Sequence, residues 1–317
     1  MKKFCAFALS LCVAGAALAA YPERAITIVV PTAPGGGNDV IARTVGQKMS
    51  ALLGQPVIVE NKAGANGAIA SEYVARAPAD GYTLMLGYVA THAMNPALQK
   101  LRYDPVADFA PIGLIATSQT LMVASTKAGI KDTRDLVAQE RAKPGKFAYA
   151  SAGNGTAPHF AAELFEISTG TRMIGVPYKG AAPAVTDTIS GQTQVMFPSL
   201  FTALPYVKGG QLQALGVAGP KRSPLLPNVP TLKEQGIQGV DVQQWYGLFA
   251  PARTPPAVVT ALNQALQQSL ADQDIVRRLA QHGADAEASS PAQFGDLVKT
   301  ELAKWRGVVQ RAHIRVD

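Results

Sequence analysis

Apolar residues along this chain fall into short β-branched runs that alternate with longer stretches of helical period. Residues 26–31 form one such run, a glycine-rich turn follows, and Ile41, Val45, Met49 and Leu52 then recur at the spacing of one helix face. The alternation returns with a strand over 57–59 and a helix over 65–77, and again with a strand over 83–86 before a loop over 88–95. A second series copies this layout, with a strand over 147–150, a loop over 151–156 and a helix carrying Phe160, Leu164 and Ile167. Strands over 173–176, 195–197 and 212–217 and a helix over 181–189 continue it. Strands that alternate with helices predict an α/β fold with mostly parallel sheets. Two series, in about 298 residues beyond position 19, predict two domains, since single cores seldom outgrow roughly 250 to 300 residues. The first domain is expected over 20–121 and 244–317, the second over 122–243.

Pro224, Pro227 and Pro230 sit among polar residues and glycine, a composition that breaks regular structure, so the chain is expected to cross between domains near 223–239. After a strand-like run over 245–250, Pro255 and Pro256 start a helix and Ser290-Pro291 caps another. Phe294, Leu297, Val298, Leu302 and Trp305 share one face of that last helix, which predicts packing onto the first domain.

The N-terminus changes the picture most. Lys2 and Lys3 precede an apolar run over 4–18, and Ala17-Leu18-Ala19 places small residues at cleavage-site positions. This layout predicts a cleaved export signal over 1–19 and a periplasmic address. Cys12 follows Leu11, where a lipoprotein signal needs a small residue. Both cysteines, Cys5 and Cys12, lie in this segment, so neither a disulfide nor a cysteine-ligated metal is expected beyond it. The later chain holds no apolar run long enough for a membrane span, which predicts a soluble protein, expected as a monomer. Of the net charge of +7, Lys2 and Lys3 supply two. The remaining basic residues are scattered singly, so no nucleic-acid partner is expected, and a modest positive field suits an anion.

Two loops carry the candidate chemistry. Pro34-Gly35-Gly36-Gly37-Asn38-Asp39 joins a strand to a helix, where backbone N–H groups converge at the positive end of a helix dipole. The same pattern also suits a tight turn capped by Asn38 or Asp39. A dinucleotide fingerprint would need glycine where Val40 stands. Ser151-Ala152-Gly153-Asn154-Gly155-Thr156 repeats the arrangement, with His159 on the following turn as a structural histidine or a ligand donor. Two facing loops of this kind would hold both ends of a small dianion. No catalytic machinery is expected: there is no G-x-S-x-G nucleophile turn around Ser151. His92, His159, His282 and His313 lack metal-site spacing, so neither metal nor cofactor is expected.

These residues resemble the solute receptors of tripartite tricarboxylate transporters, the Bug proteins, in a series that spans most of the chain. The series begins with Pro31-Thr-Ala-Pro-Gly-Gly-Gly-Asn-Asp39 with Ala42-Arg43, Glu60-Asn-Lys-Ala-Gly64 with Gly67, and Asp80-Gly-Tyr-Thr-Leu84. It continues with Tyr103-Asp-Pro105, Asp108-Phe109, Tyr149-Ala-Ser-Ala-Gly-Asn-Gly155 with His159, and Val176-Pro-Tyr-Lys-Gly180. Lys221-Arg-Ser223, Pro227-Asn-Val-Pro-Thr231, Trp245-Tyr-Gly247 and Ala250-Pro251 complete it.

The resemblance implies a two-domain flytrap fold with two strands crossing between the domains. It also implies that a small carboxylate, dicarboxylate or aromatic, is held largely by main-chain groups of the two loops. The ligand-binding candidates on them are Thr32, Ala33, Gly36, Gly37, Asn38 and Asp39, and Ser151, Ala152, Asn154, Gly155, Thr156 and His159. Tyr88 and Thr91 from a third loop, with Tyr178 and Lys179, are nominated to tune the choice of acid; Tyr178 suits core packing equally, and Lys179 suits a solvated surface. Many relatives carry an acid where this chain has Pro198, and Gln194 replaces a common aspartate, which predicts a ligand without an ammonium group. The implied partners are the membrane subunits of such a transporter or, alternatively, a membrane sensor kinase; a secreted hydrolase is the third reading.

Overall fold

The computed structural model describes residues 21–312 and 314. The export signal expected over 1–19 lies outside the described residues. The chain opens as β1 (Ile26–Val30), α1 (Gly37–Leu53), β2 (Val57–Asn61), α2 (Ala68–Ala75) and β3 (Thr83–Tyr88). β1 is paired in parallel on both sides, by β2 and β3, and is buried at every position but Thr27, which accounts for its almost wholly apolar sequence. α1 lays Ile41, Ala42, Val45 and Met49 against this sheet and stops at Gly54, whose φ of 68° is the left-handed conformation of a helix C-terminus. A single π-helical turn over Ala90–Met94 leads into α3 (Asn95–Leu98), where a loop was expected.

β4 (Phe109–Ser125) is the longest strand among the described residues. α4 (Thr133–Ala142), β5 (Ala148–Ser151), α5 (Ala157–Thr169), β6 (Ile174–Pro177), α6 (Ala181–Ser190), β7 (Val195–Met196), α7 (Leu200–Lys208) and β8 (Leu212–Ala218) follow. The chain ends with β9 (Gln243–Pro251), α8 (Pro256–Ala271), α9 (Gln273–Gln281), β10 (Ala284–Ala286) and α10 (Pro291–Ala312). β4 builds two ladders in succession. Residues from Phe109 to Gln119 pair with β9, and from Thr120 to Ser125 the partners become β8 and, at Val123 and Ala124, β7. The first sheet is therefore ordered β2-β1-β3-β9-β4-β10 and the second β8-β4-β7-β5-β6.

The expected parallel pairing holds for β1 with β2 and β3, and for β5 with β6 and β7. Every ladder made by β4 or β9 is antiparallel, because these two strands run back through the fold, so the sheets are mixed rather than mostly parallel. The segment 223–239 does not carry a crossing. Thr231 bridges Val217, and Leu232 N–H donates to Val217 O at 2.9 Å, which keeps this proline-rich stretch on β8. The second crossing comes at the start of β9, where Val242 N–H still donates to Ala218 O and the next residue joins β4 in the first sheet.

α10 is capped reciprocally, with Gln293 N–H donating to Ser290 Oγ and Ser290 N–H to Gln293 Oε1. Its buried Phe294, Val298, Leu302 and Trp305 form the predicted face, with Phe294 4.7 Å from the Phe249 ring of β9. Trp305 reaches further and meets Phe160 of α5 edge-on at 5.2 Å, so the C-terminal helix touches elements of both sheets.

His92 is sealed in this core, stacked at 3.9 Å on Phe249 and edge-on to Phe109, with Nδ1 2.9 Å from Thr91 Oγ1. Burial pushes its pKa down to about 3, against an ordinary value of 6.5. The folded value lies below the unfolded one, so its contribution to stability is full above pH 6.5 and is lost as the pH falls toward 3. Urea denaturation at pH 7 and pH 5 should show His92 costing about 2 kcal/mol of stability over that interval. A His92→Phe variant should lose that share of the acid sensitivity; an unchanged pH profile in the variant would refute the assignment.

Candidate functional site

The C-terminal ends of β1, β5, β6 and β7 all lead into helices, and the first turns of those helices face one cleft. At the first, Asp39 fixes the glycine turn from within. It accepts Gly35 N–H at 3.0 Å and Asn61 Nδ2 at 2.9 Å, and pairs with Arg43 at 2.9 Å. Burial alone would raise its pKa, but the bonds from Arg43, Gly35 and Asn61 outweigh it and hold the carboxyl below its ordinary range. Asp39 is thus consumed in shaping the turn and does not line the cleft. The N-cap of α1 is Gly36, which has no side chain to satisfy the first-turn amides.

The second turn folds on itself in the same way. Thr156 Oγ1 donates to Gly153 O at 2.6 Å, Gly153 N–H donates to Ser151 Oγ, and Gly155 N–H donates to His159 Nδ1. Gly153 and Gly155 have φ of 120° and 82°, conformations that admit glycine readily and other residues poorly. Thr156 is the N-cap of α5 yet makes no capping bond, its hydroxyl being committed to Gly153. α6 begins after Gly180, again without a side-chain cap. α7 differs, since Ser199 Oγ accepts from Thr202 N–H.

Between these turns lies a cavity of about 50 Å³, bounded by Thr32, Gly36, Gly37 and Asn38 on one side and Ala152, Thr156, Ala157, Pro158, Ala181, Pro198, Ser199 and Thr202 on the other. Gln244 and Tyr246 of β9, with Tyr88, complete it. A second cavity of about 80 Å³ shares Thr32, Tyr88 and Ala152 with the first, and adds the 64–67 loop with Tyr178, Lys179 and Gly180. The two cavities thus adjoin across these three residues, and among the described residues Lys179 is the single ionisable cation or carboxylate side chain lining either. Thr32 Oγ1 is buried without a hydrogen-bond partner. Burial holds the Tyr88 and Tyr246 hydroxyls protonated, Tyr246 with its pKa pushed up to about 12, so both remain donors.

The structure thus brings ten nominated residues to the cleft: Thr32, Gly36, Gly37, Asn38, Tyr88, Ala152, Thr156, Tyr178, Lys179 and Pro198. Ala33, Asp39, Thr91 and Gly155 line neither cavity. Thr91 Oγ1 is taken up by the main chain of Tyr88 and by His92. Ser151, Asn154 and His159 face outward into a separate basin of about 640 Å³ beside β6, shared with Glu163, Glu166 and Arg172. Along the same segment Ala152, Thr156, Ala157 and Pro158 line the cleft instead. In that basin burial pushes the Glu166 pKa up to about 7. Gln194 bonds to Ala148 N–H and Gly191 O, inside the sheet, so its replacement of an acid does not bear on the cleft.

Asn66, Ser199, Thr202, Gln244 and Tyr246 were not anticipated. Gln244 and Tyr246 flank the recognised Trp245 on a crossing strand. Gln244 Nε2 donates to Thr120 Oγ1 and Tyr246 hydroxyl donates to Gln244 Oε1, tying the cleft floor to β4.

Comparison with known proteins places this geometry. The family model of the tripartite tricarboxylate transporter family receptor matches residues 41–314. Among solved structures, Rpa4515 of R. palustris with adipate is similar at 33% identity and a TM-score of 0.90, covering 93% of this chain and 99% of its own. The periplasmic binding protein BugD is similar at 34% identity and a TM-score of 0.89, covering 93% and 99%. MatC from Rhodopseudomonas palustris with bound malate is similar at 34% identity and a TM-score of 0.88, covering 91% and 100%. Among the described residues no helix is long and apolar enough to cross a membrane. By its sequence and its fold, the chain belongs to the tripartite tricarboxylate transporter receptor family, among periplasmic binding proteins of the Bug type.

Proposed function

We propose that this protein captures a small dicarboxylate between two domains and delivers it to a tripartite tricarboxylate-type membrane transporter, without chemical turnover. The observation that carries the reading is the convergence of three helices, α1, α5 and α6, whose N-termini lack side-chain caps, on cavities lined by no acidic side chain. First-turn amides need acceptors, and a carboxylate supplies them while complementing the helix dipoles, each worth about 0.3 to 1 kcal/mol or more when shielded from water. The two adjoining cavities give each carboxylate its own end. One meets α1 and α5 beside Thr32, the other α6 beside Lys179.

Residues 20–121 with 244–317 form one domain of the trap and 122–243 the other, hinged on β4 and on the chain entering β9. The segment 1–19 directs export, so capture occurs in the periplasm. The relatives with adipate and with malate support a dicarboxylate over a larger ligand.

Malate and adipate at about 100 times their dissociation constants should stabilise the protein by roughly 2.7 kcal/mol, a rise of a few degrees in a thermal-shift measurement. Deleting one glycine of the 35–37 turn should remove the response. Absence of any shift across a panel of aliphatic and aromatic carboxylates would contradict the proposal.

The cleft offers no acidic partner to an ammonium group, and Pro198 lines it where an acid would provide one. Calorimetry should therefore find malate or succinate bound at least about tenfold more tightly than aspartate, one lost charge-assisted bond being worth about 1.5 to 3 kcal/mol. Tighter binding of aspartate or glutamate than of their deaminated analogues would overturn this selectivity.

A further inference from the structure

The loop between β2 and α2 has a backbone that its residue types resist. Ala65 and Asn66 have φ of 45° and 53°, in the left-handed region, between Gly64 at 137° and Gly67 at 88°. Four successive residues with positive φ, two of them bearing side chains, are held against a local energetic cost. The loop is braced on the first sheet. Ser71 Oγ donates to Gly67 O at 2.9 Å, and a methyl group on Gly67 would stand 2.5 Å from Thr91 Cγ2 and 3.0 Å from Pro31 Cβ. Pinned there, the left-handed pair raises Asn66 toward the second sheet.

Asn66 meets the turn between β5 and α5. Its Nδ2 donates to the main-chain oxygen of Asn154, 88 residues away in sequence. A methyl group on Gly153 would collide with Asn66 Oδ1, so Gly153 leaves the space in which the amide sits. The bond reaches main chain only and does not depend on the Asn154 side chain, which faces the outer basin. Asn66 also lines the smaller cavity with Tyr178 and Lys179, so one side chain both bounds the ligand space and joins the two sides of the cleft.

We infer that Asn66 is the latch that holds the cleft closed over its ligand, a positioning role that rests on the binding-protein reading above. The left-handed backbone of Ala65 and Asn66 is the device that presents it, and opening of the cleft requires release of the Asn66 to Asn154 bond. Asparagine tolerates positive φ better than most residues, so a role confined to forming the turn is the competing explanation. The two differ in what glycine does at this position. Asn66→Gly keeps the turn and removes the latch, whereas Asn66→Asp keeps the shape and sets a carboxylate against a carbonyl oxygen.

The test uses the protein without residues 1–19, which then contains no native cysteine. Spin labels on Gln47→Cys and Thr186→Cys, exposed positions on α1 and α6, report the distance across the cleft. Malate and adipate serve as probes for release rates by stopped flow. The latch predicts that Asn66→Gly shifts the distance distribution toward longer values and speeds probe release about fivefold, the equivalent of one net hydrogen bond, and that Asn66→Asp does both more strongly. Both variants should melt within a few degrees of the parent. Unchanged distances and release rates in Asn66→Gly would overturn the latch and leave Asn66 a turn former. If the parent protein binds neither probe, the carboxylate reading fails on that result alone, and the distance distributions still decide the latch; if one variant fails to fold, the other decides it.

Discussion

Backbone N–H groups at the start of an α-helix have no partner inside the helix, and this fold leaves three such sets facing a single cleft. Their need for acceptors organises what surrounds them. Asp39 spends its carboxylate on Gly35, Asn61 and Arg43, which shapes the first turn while keeping a negative charge out of the cavity. Thr156, the natural cap of α5, instead donates to Gly153 and leaves the amides of its own helix open. In the proposed mode of capture, an anion is received by main chain and dipole, with Thr32, Tyr88 and Lys179, which line the cavities, added at the edges. Positive charge need not be concentrated in side chains for such a site to favour carboxylates, which is consistent with basic residues scattered singly over the chain.

Closing a cleft around that site asks the two sides to move relative to each other without losing register. β4 meets this by continuing from one sheet into the next, changing partners between Gln119 and Thr120, and β9 returns beside it. The cleft floor sits on this junction, where Gln244 and Tyr246 are bonded to each other and Gln244 to Thr120. The strained 64–67 loop, for its part, reaches the 151–156 turn through Asn66. Trp305 packing on Phe160 adds an apolar contact between the C-terminal helix and α5, away from both.

Much of this was legible in the sequence because apolar period and glycine placement carry physical meaning. The strand-turn-helix units at 26–53 and 148–169 followed from β-branched runs, glycines and helical spacing, and those same glycines pointed to the cleft. β4 was not legible, since Pro111 and Gly113 interrupt its pattern; the fold absorbs them as shifts in the ladder with β9. The proline-rich 223–239 segment misled for the opposite reason. Its composition marks irregular backbone, but irregular backbone can lie along a strand as well as cross between sheets. Within the site, the turns were found but not the direction of each side chain. Ser151, Asn154 and His159 carry the polar groups that suggest a ligand, yet they line the outer basin, while Ala152 and Thr156 line the cleft. Asn66 was hidden because its role depends on a left-handed backbone that no local pattern announces.

In the proposed mode of capture, main-chain amides of three helix N-termini hold the carboxylates. Titrating malate into uniformly ¹⁵N-labelled protein while following amide resonances addresses it directly. Saturable downfield proton shifts are expected for the amides of Gly37 and Asn38, of Ala157 and of Ala181, all on one binding curve. Saturable binding that leaves these amides unmoved and perturbs only the basin around His159 and Arg172 would contradict it.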